Sequence, residues 1–266
     1  MTSVELLKVP EHIIYIFVFI FGAIVGSFLN VCIHRLPLGK SIVFPPSACP
    51  QCERRIRAYD NVPIISFLLL AGRCRNCGLS IPFRYPLVEL ITALTALAVF
   101  TRFGLTAEGL FLFVFIAALI VVVFIDIDYR IIPDGITLPG IAITFLAAVF
   151  IKETAWTESL VGILFGGGSL YVVAVVYKLL TGVDGMGGGD IKLLAMIGAW
   201  CGWVGVFFTI LVSSAVGTLV GFSVMIVYHK NMKVAIPYGP FLALGAILYI
   251  FFGPELIMWY ARLVGY

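Results

Sequence analysis

The chain has 266 residues, 62% of them hydrophobic and 12% charged, with a formal net charge of +3. A soluble domain carries roughly 25% charged residues. This composition, with a mean hydropathy of +1.12, therefore excludes an ordinary water-soluble globule. Several apolar runs approach the roughly 20 residues that a helix needs to cross a bilayer, and the pattern predicts an all-α polytopic membrane protein.

The first apolar run, Ile13 to Val31, is too long for the core of a signal peptide, and Glu5 and Glu11 precede it. It reads as a retained span over about 13–32. Its end, from Gly26 to Pro37, mixes small and polar residues. Asn30 and His34 lie four apart and share a helix face. Gly26 and Ser27 suit close helix packing, with Asn30 satisfied by a neighbouring helix.

Residues 35–85 form the one sizeable polar segment, and it is strongly basic. It carries Cys49-Pro-Gln-Cys52 and Cys74-Arg-Asn-Cys77, with 21 residues between the pairs. Two such knuckles supply four thiolates for tetrahedral zinc. A small cytosolic zinc-ribbon-like domain is therefore expected after the first helix, stabilised by metal rather than by a large core. Two disulfides are the alternative, disfavoured in the cytosol. Cys32 and Cys201 read as packing residues.

Further spans are expected over 85–101, 110–125, 134–151 and 159–180. The nearly continuous apolar stretch 191–228 suits two spans with a turn near Gly202, the first of them short. The last span is expected to start at Pro237 and end near Gly253-Pro254, with Trp259 and Tyr260 at the interface. That makes about eight transmembrane helices. Glu89 falls near the start of the second span, where a carboxylate is either functional or paired with Arg84 or span 1. Gly166-Gly-Gly168 lets another backbone approach closely or marks a flexible break.

With eight spans, 13 of the 17 Lys and Arg fall on one side. The positive-inside rule makes that side cytoplasmic, with both termini outside.

Five of the six Asp (Asp126, Asp128, Asp134, Asp184 and Asp190) lie in two segments on that side. Asp190 follows Gly187-Gly188-Gly189 directly. Asp126, Asp128 and Asp134 sit 64 to 56 residues upstream. Asp134, between Pro133 and Gly135, is placed for a helix N-cap. Two aspartates brought close cannot both ionise easily and share a proton. One then acts as base on a water and the other, protonated, polarises a carbonyl. Glycines before Asp190 let a substrate backbone come near. No H-E-x-x-H or G-x-S-x-G occurs. The carboxylates are thus a hydrolytic dyad, or proton or cation sites of an ion-coupled transporter. Asp126 and Asp128 lie on different helix faces, so chemistry alone leaves the partner of Asp190 open.

Taken together, these residues resemble the type IV prepilin peptidases, the bacterial branch of the G-x-G-D membrane aspartyl proteases. The resemblance runs over Gly26 to Pro37, the paired C-x2-C motifs, Arg84-Tyr-Pro-Leu-Val-Glu89, Asp126-Ile-Asp-Tyr-Arg-Ile-Ile-Pro-Asp134 and Gly187-Gly-Gly-Asp190. It implies catalytic Asp126 and Asp190. It implies cleavage of prepilins and pseudopilins at the cytoplasmic face of the bacterial inner membrane. It also implies N-methylation of the new terminus from S-adenosylmethionine, an activity linked in the family to the cysteine domain. The family's Gly-Lys pair before the third Cys reads Gly72-Arg73 here, which keeps the charge but changes its geometry. Gly72, Arg73 and Glu89 are the candidate residues for the methyl donor, and Cys49, Cys52, Cys74 and Cys77 for zinc. The expected domains are a first transmembrane helix (1–34), a cytosolic four-cysteine zinc-binding domain (35–85) and a membrane-embedded protease core (86–266). The expected partners are prepilins and the lipid bilayer, with no nucleic acid. The basic cytosolic domain would repel a basic leader and instead suits anionic headgroups.

Overall fold

A computed structural model describes residues 10–228 and 236–264. The expected polar loop at 229–236 lies almost wholly outside the described residues. Among those described there are eight α-helices and no strand, only isolated antiparallel bridges. Six helices are long and apolar enough to cross a membrane, and Asp134–Phe150 is a shorter apolar helix.

The chain divides into two compact units, Met1–Val121 and Val122–Tyr266. The first holds α1 (Glu11–Arg35), the short α2 (Ile65–Leu69), α3 (Arg84–Phe103) and the first part of α4 (Ala107–Tyr129). Helix α1 packs along α3. The contact is close because α1 places glycine there. A methyl group on Gly22 would meet Ala93 Cα at 2.7 Å, and one on Gly26 would meet Glu89 Cα at 2.7 Å. Asn30 is satisfied in part across this seam, where its Nδ2 donates to Tyr85 O at 3.0 Å.

Between α1 and α3 lies the cysteine domain. Each C-x2-C is a tight knuckle closed by one bridge, Ala48 with Arg55 and Arg73 with Ser80. The two knuckles repeat one backbone pattern. Glu53 N–H donates to Cys49 O, and Gly78 N–H to Cys74 O, both at 2.9 Å. The fourth residue after each first cysteine has positive φ: 54° at Glu53 and 73° at Gly78. Asp60 ties the segment together through a two-pronged pair with Arg75, shortest at 2.6 Å.

The second unit holds the end of α4, α5 (Asp134–Phe150), α6 (Trp156–Thr181), α7 (Gly188–Tyr228) and α8 (Gly239–Val264). Helix α7 is central and packs against α5, α6 and α8. It breaks at Gly202, with φ 65° and ψ −178°, at the turn the sequence predicts. The fourteen residues before the break span roughly 21 Å at about 1.5 Å per residue. That is short of the roughly 30 Å hydrocarbon core. The loop between α5 and α6 and the first turns of α6 meet the break: Lys152 Nζ donates to Trp200 O at 2.9 Å, and Ser159 Oγ on α6 to Ala199 O at 2.7 Å. The short segment therefore ends against protein polar groups. Cys32 and Cys201 are buried, as packing residues should be.

Some boundaries differ from the sequence reading. Helix α4 runs to Tyr129, so Asp126 and Asp128 sit on its last turn and not in a loop. Asp134 is the first residue of α5 and caps nothing; its carboxylate pairs with Lys192 Nζ at 2.7 Å. Helix α8 starts at Gly239, because Tyr238 O takes the N–H groups of Phe241 and Leu242. It continues through Pro254 to Val264. A proline there removes one hydrogen bond without forbidding helical φ.

Candidate functional site

The second unit carries its five aspartates where α4 and α6 finish and α5 and α7 begin, next to the start of α8 at Gly239. Asp126 is 5% exposed, whereas Asp128, two residues on, is exposed. On a helix these positions point about 200° apart, so only one can face the core. The Gly239 backbone N–H donates to Asp126 Oδ2 at 3.0 Å. Asp190 lies on the first turn of α7, and its Oδ1 is buried without a hydrogen-bond partner among the described residues.

Ile132 packs against Gly189, the residue before Asp190, and near Gly239, whose amide holds Asp126. A methyl group on Gly189 would meet Ile132 Cβ at 2.7 Å. One on Gly239 would meet Ile132 Cδ1 at 3.2 Å and Asp126 Oδ2 at 2.7 Å. The Gly189–Asp190 turn and the Gly239 amide that holds Asp126 thus close on the same side chain. The two carboxylates lie within electrostatic reach of each other. Asp134 and Asp184 are exposed and engaged elsewhere, with Lys192 at 2.7 Å and Lys178 at 2.8 Å. A buried, amide-held carboxylate beside one with an unsatisfied buried oxygen can hold and move a proton across a polarised carbonyl.

Sequence reasoning missed Gly239 and Ile132. The available signal was Pro237-Tyr238-Gly239-Pro240, a turn whose glycine leaves its amide accessible. Tyr238 anchors that turn: its hydroxyl is 2.8 Å from Ser213 Oγ on α7. Gly239→Ala is expected to lower turnover by roughly a hundredfold, because its methyl displaces the Asp126 carboxylate. Misplacement by about 1 Å costs about that much. Steady-state kinetics alongside a melting curve check it, with the melting temperature changing little.

In the first unit the four cysteine Sγ atoms of Cys49, Cys52, Cys74 and Cys77 lie within 4.8 Å of one another. Cys49 and Cys77 are 3.7 Å apart and all four are free thiols. Tetrahedral zinc with Zn–S of about 2.3 Å requires S···S near 3.8 Å, so the set fits a metal ion. Backbone amides of Cys52 and Gln51 draw the Cys49 thiol down to about 6. Those of Cys77 and Asn76 lower Cys74 in the same way. The first cysteine of each knuckle thus favours the thiolate that a metal needs, whereas Cys77, against the Leu79 amide, is pushed up to about 11 by burial and the neighbouring thiols. Gly72 sits under the Phe67 ring, Arg73 bridges Ser80, and Glu89 is buried on α3, where it accepts the Ile64 N–H at 2.7 Å.

Comparison with known proteins gives the family. The bacterial peptidase A24 N-terminal domain model matches residues 20–103, and the type IV leader peptidase family model matches residues 113–222. A prepilin leader peptidase/N-methyltransferase of Pseudomonas putida is 37% identical, aligned over 93% of this chain and 93% of the relative. The chain belongs to the type IV leader peptidase family. Proteins of the same description from Pseudomonas aeruginosa (37% identical, 92% of each chain) and Aeromonas hydrophila (35%, covering 91% of this chain and 92% of the relative) are similar over nearly their whole length. No solved structure matches the chain. None of these relatives is described as a transporter, and the ion-carrier alternative finds no support.

Proposed function

We propose that this chain is a membrane aspartyl endopeptidase that removes the leader of type IV prepilins and pseudopilins and N-methylates the new terminus. The observation that carries the reading is that buried Asp126, held by the Gly239 amide, and the Gly189 backbone just before Asp190 both close on Ile132, in a chain with near full-length kinship to leader peptidases.

Asp126 and Asp190 are the catalytic pair. One carboxylate takes a proton from a water as that water attacks the scissile carbonyl. The other, protonated, donates to the carbonyl oxygen as it becomes tetrahedral. Collapse expels the amine, which takes a proton from the pair. Gly239 fixes one oxygen of Asp126, so the pair is oriented before substrate arrives. The prepilin's apolar helix lies in the bilayer and its leader in the cytosol, which brings the scissile bond to the membrane edge. The charge bias, 13 of 17 Lys and Arg on one side, supports the cytoplasmic face of the inner membrane as that edge. Residues 35–85 form the cytosolic domain and 86–266 the protease core.

The direct test incubates the purified chain in lipid nanodiscs with a prepilin and S-adenosylmethionine, followed by intact-mass analysis. Loss of the leader with gain of one methyl group on the new N-terminus supports both activities. An uncut prepilin refutes the peptidase reading.

Cys49, Cys52, Cys74 and Cys77 hold one structural zinc. Elemental analysis is expected to find about one zinc per chain, and chelation to lower the melting temperature. Mutating Cys49 and Cys52 is expected to reduce methylation or stability more than cleavage. Metal-free protein with intact disulfides contradicts the assignment.

A further inference from the structure

Inside the polar, basic segment 35–85 the longest apolar run is Val62-Pro-Ile-Ile-Ser-Phe-Leu-Leu-Leu-Ala71. Its middle forms α2. On this helix the polar residue faces inwards: Ser66 is buried, takes the Val62 N–H at 2.9 Å and donates to Tyr59 O at 3.0 Å. The large aliphatic residues face outwards, with Ile65 54%, Leu68 70% and Leu69 80% exposed. Leu68 and Leu69 lie three and four residues after Ile65, so the three share one face. For a segment in water that arrangement is inverted. We propose that α2 is an interfacial segment whose Ile65, Leu68 and Leu69 dock into the acyl-chain boundary of the bilayer that α1 and α3 cross. This docking requires the spans and neither of the proposed enzymatic activities.

Two ties fix the depth of α2. Helix α3 is 20 residues long and rises about 30 Å, the thickness of the hydrocarbon core, so its first turns lie at the membrane edge. The Ile64 N–H, at the entry to α2, donates at 2.7 Å to Glu89 Oε2, on the second turn of α3. The Phe67 ring meets the Phe83 ring edge-on, with centroids 6.3 Å apart, and Phe83 directly precedes α3. Helix α2 is therefore level with the first turns of a span. Ile64 holds φ 63°, a conformation that strains a β-branched residue. Such a residue persists only where its surroundings hold it, and here the Glu89 carboxylate supplies that hold.

The outward face of α2 continues a surface of α3 that faces lipid. Phe83, Leu90 and Leu94 are exposed and recur at helical spacing. They lie away from the face packed on α1, which carries Glu89, Thr92, Ala93 and Ala96. The contact of Phe67 with Phe83 joins α2 to the end of that stripe. The charge fits as well. Arg73, exposed just past the apolar run, offers a guanidinium to headgroup phosphates. Apolar residues below the headgroups with basic ones beside them are the pattern of an interfacial segment. Docking holds the second knuckle, which starts at Cys74, at the membrane surface. The four-cysteine domain is then cytosolic but seated on the bilayer.

The test uses the full chain in nanodiscs whose lipid carries a photoreactive diazirine in its acyl chain, with adducts mapped by peptide mass spectrometry. Acyl label is expected on the peptide covering 62–71 as well as on α3, and not on the peptide covering 47–58. Leu68→Asp combined with Leu69→Asp changes two exposed positions and leaves the ties to Glu89 and Phe83 in place. That chain is expected to lose the label on 62–71 and to keep it on α3, which shows that it still spans the bilayer. A wild-type 62–71 without acyl label overturns the proposal, whether the segment is found free or cross-linked to a second copy of the chain. Label that persists in the doubly substituted chain overturns it too, because the fold alone then brings the segment to lipid.

Discussion

Asp190→Ala and Asp126→Ala are each expected to reduce leader cleavage by at least about a thousandfold. Loss of a general acid or base costs up to about 10⁴, and the members of a catalytic pair act as a unit. The two variants should differ in stability. Asp190 leaves one oxygen buried and unsatisfied, so removing the side chain relieves a desolvation cost, and the melting temperature should hold or rise. Asp126 accepts the Gly239 amide. Its removal orphans that N–H, a cost of about 1–3 kcal/mol. Asp126→Asn keeps an acceptor oxygen and should be inactive yet more stable than Asp126→Ala. Prepilin cleavage and thermal melting on the same preparations read out both effects.

Gly162→Ala is expected to destabilise the protein although alanine is the better helix former. A methyl group on Gly162 would collide with the Gly198 carbonyl, and one on Gly198 with the Gly162 carbonyl. Helices α6 and α7 thus cross with their backbones in contact, and neither side offers a side chain that can move aside. Overpacking costs about 1–3 kcal/mol and occasionally more. Gly168, on the same helix, meets nothing within 4 Å. Gly168→Ala should therefore be neutral, or stabilising by up to about 1 kcal/mol through propensity. Opposite signs in the two melting shifts support the crossing. Equal shifts contradict it.

The bilayer makes much of this fold readable. Each long apolar run has to satisfy its backbone internally, so runs and helices coincide, and even the break at Gly202 falls where Cys201-Gly202-Trp203 announces it. The cysteine spacing likewise specifies a cluster, since four thiols at C-x2-C intervals have few other uses. What sequence does not carry is contact across the chain. Gly239 is 113 residues from the aspartate it holds. Gly162 lacks the glycine neighbours that draw attention to Gly166-Gly167-Gly168, yet it is the one that meets a backbone carbonyl of another glycine. Glu53 occupies a left-handed position that Gly78 marks openly in the matching knuckle. Asp126 and Asp128 are equivalent in chemistry and two residues apart. Burial separates them, and burial depends on which face of α4 the rest of the unit covers.

That separation is the centre of the account. It is tested most directly by one prepilin cleavage assay on Asp126→Asn, Asp128→Asn, Asp134→Asn and Asp190→Asn, with the product's new N-terminus read by mass spectrometry. The account predicts no cleavage by the Asp126 and Asp190 variants and correct cleavage, at reduced rates at most, by the Asp128 and Asp134 variants. Cleavage by Asp126→Asn together with its loss in Asp128→Asn contradicts it.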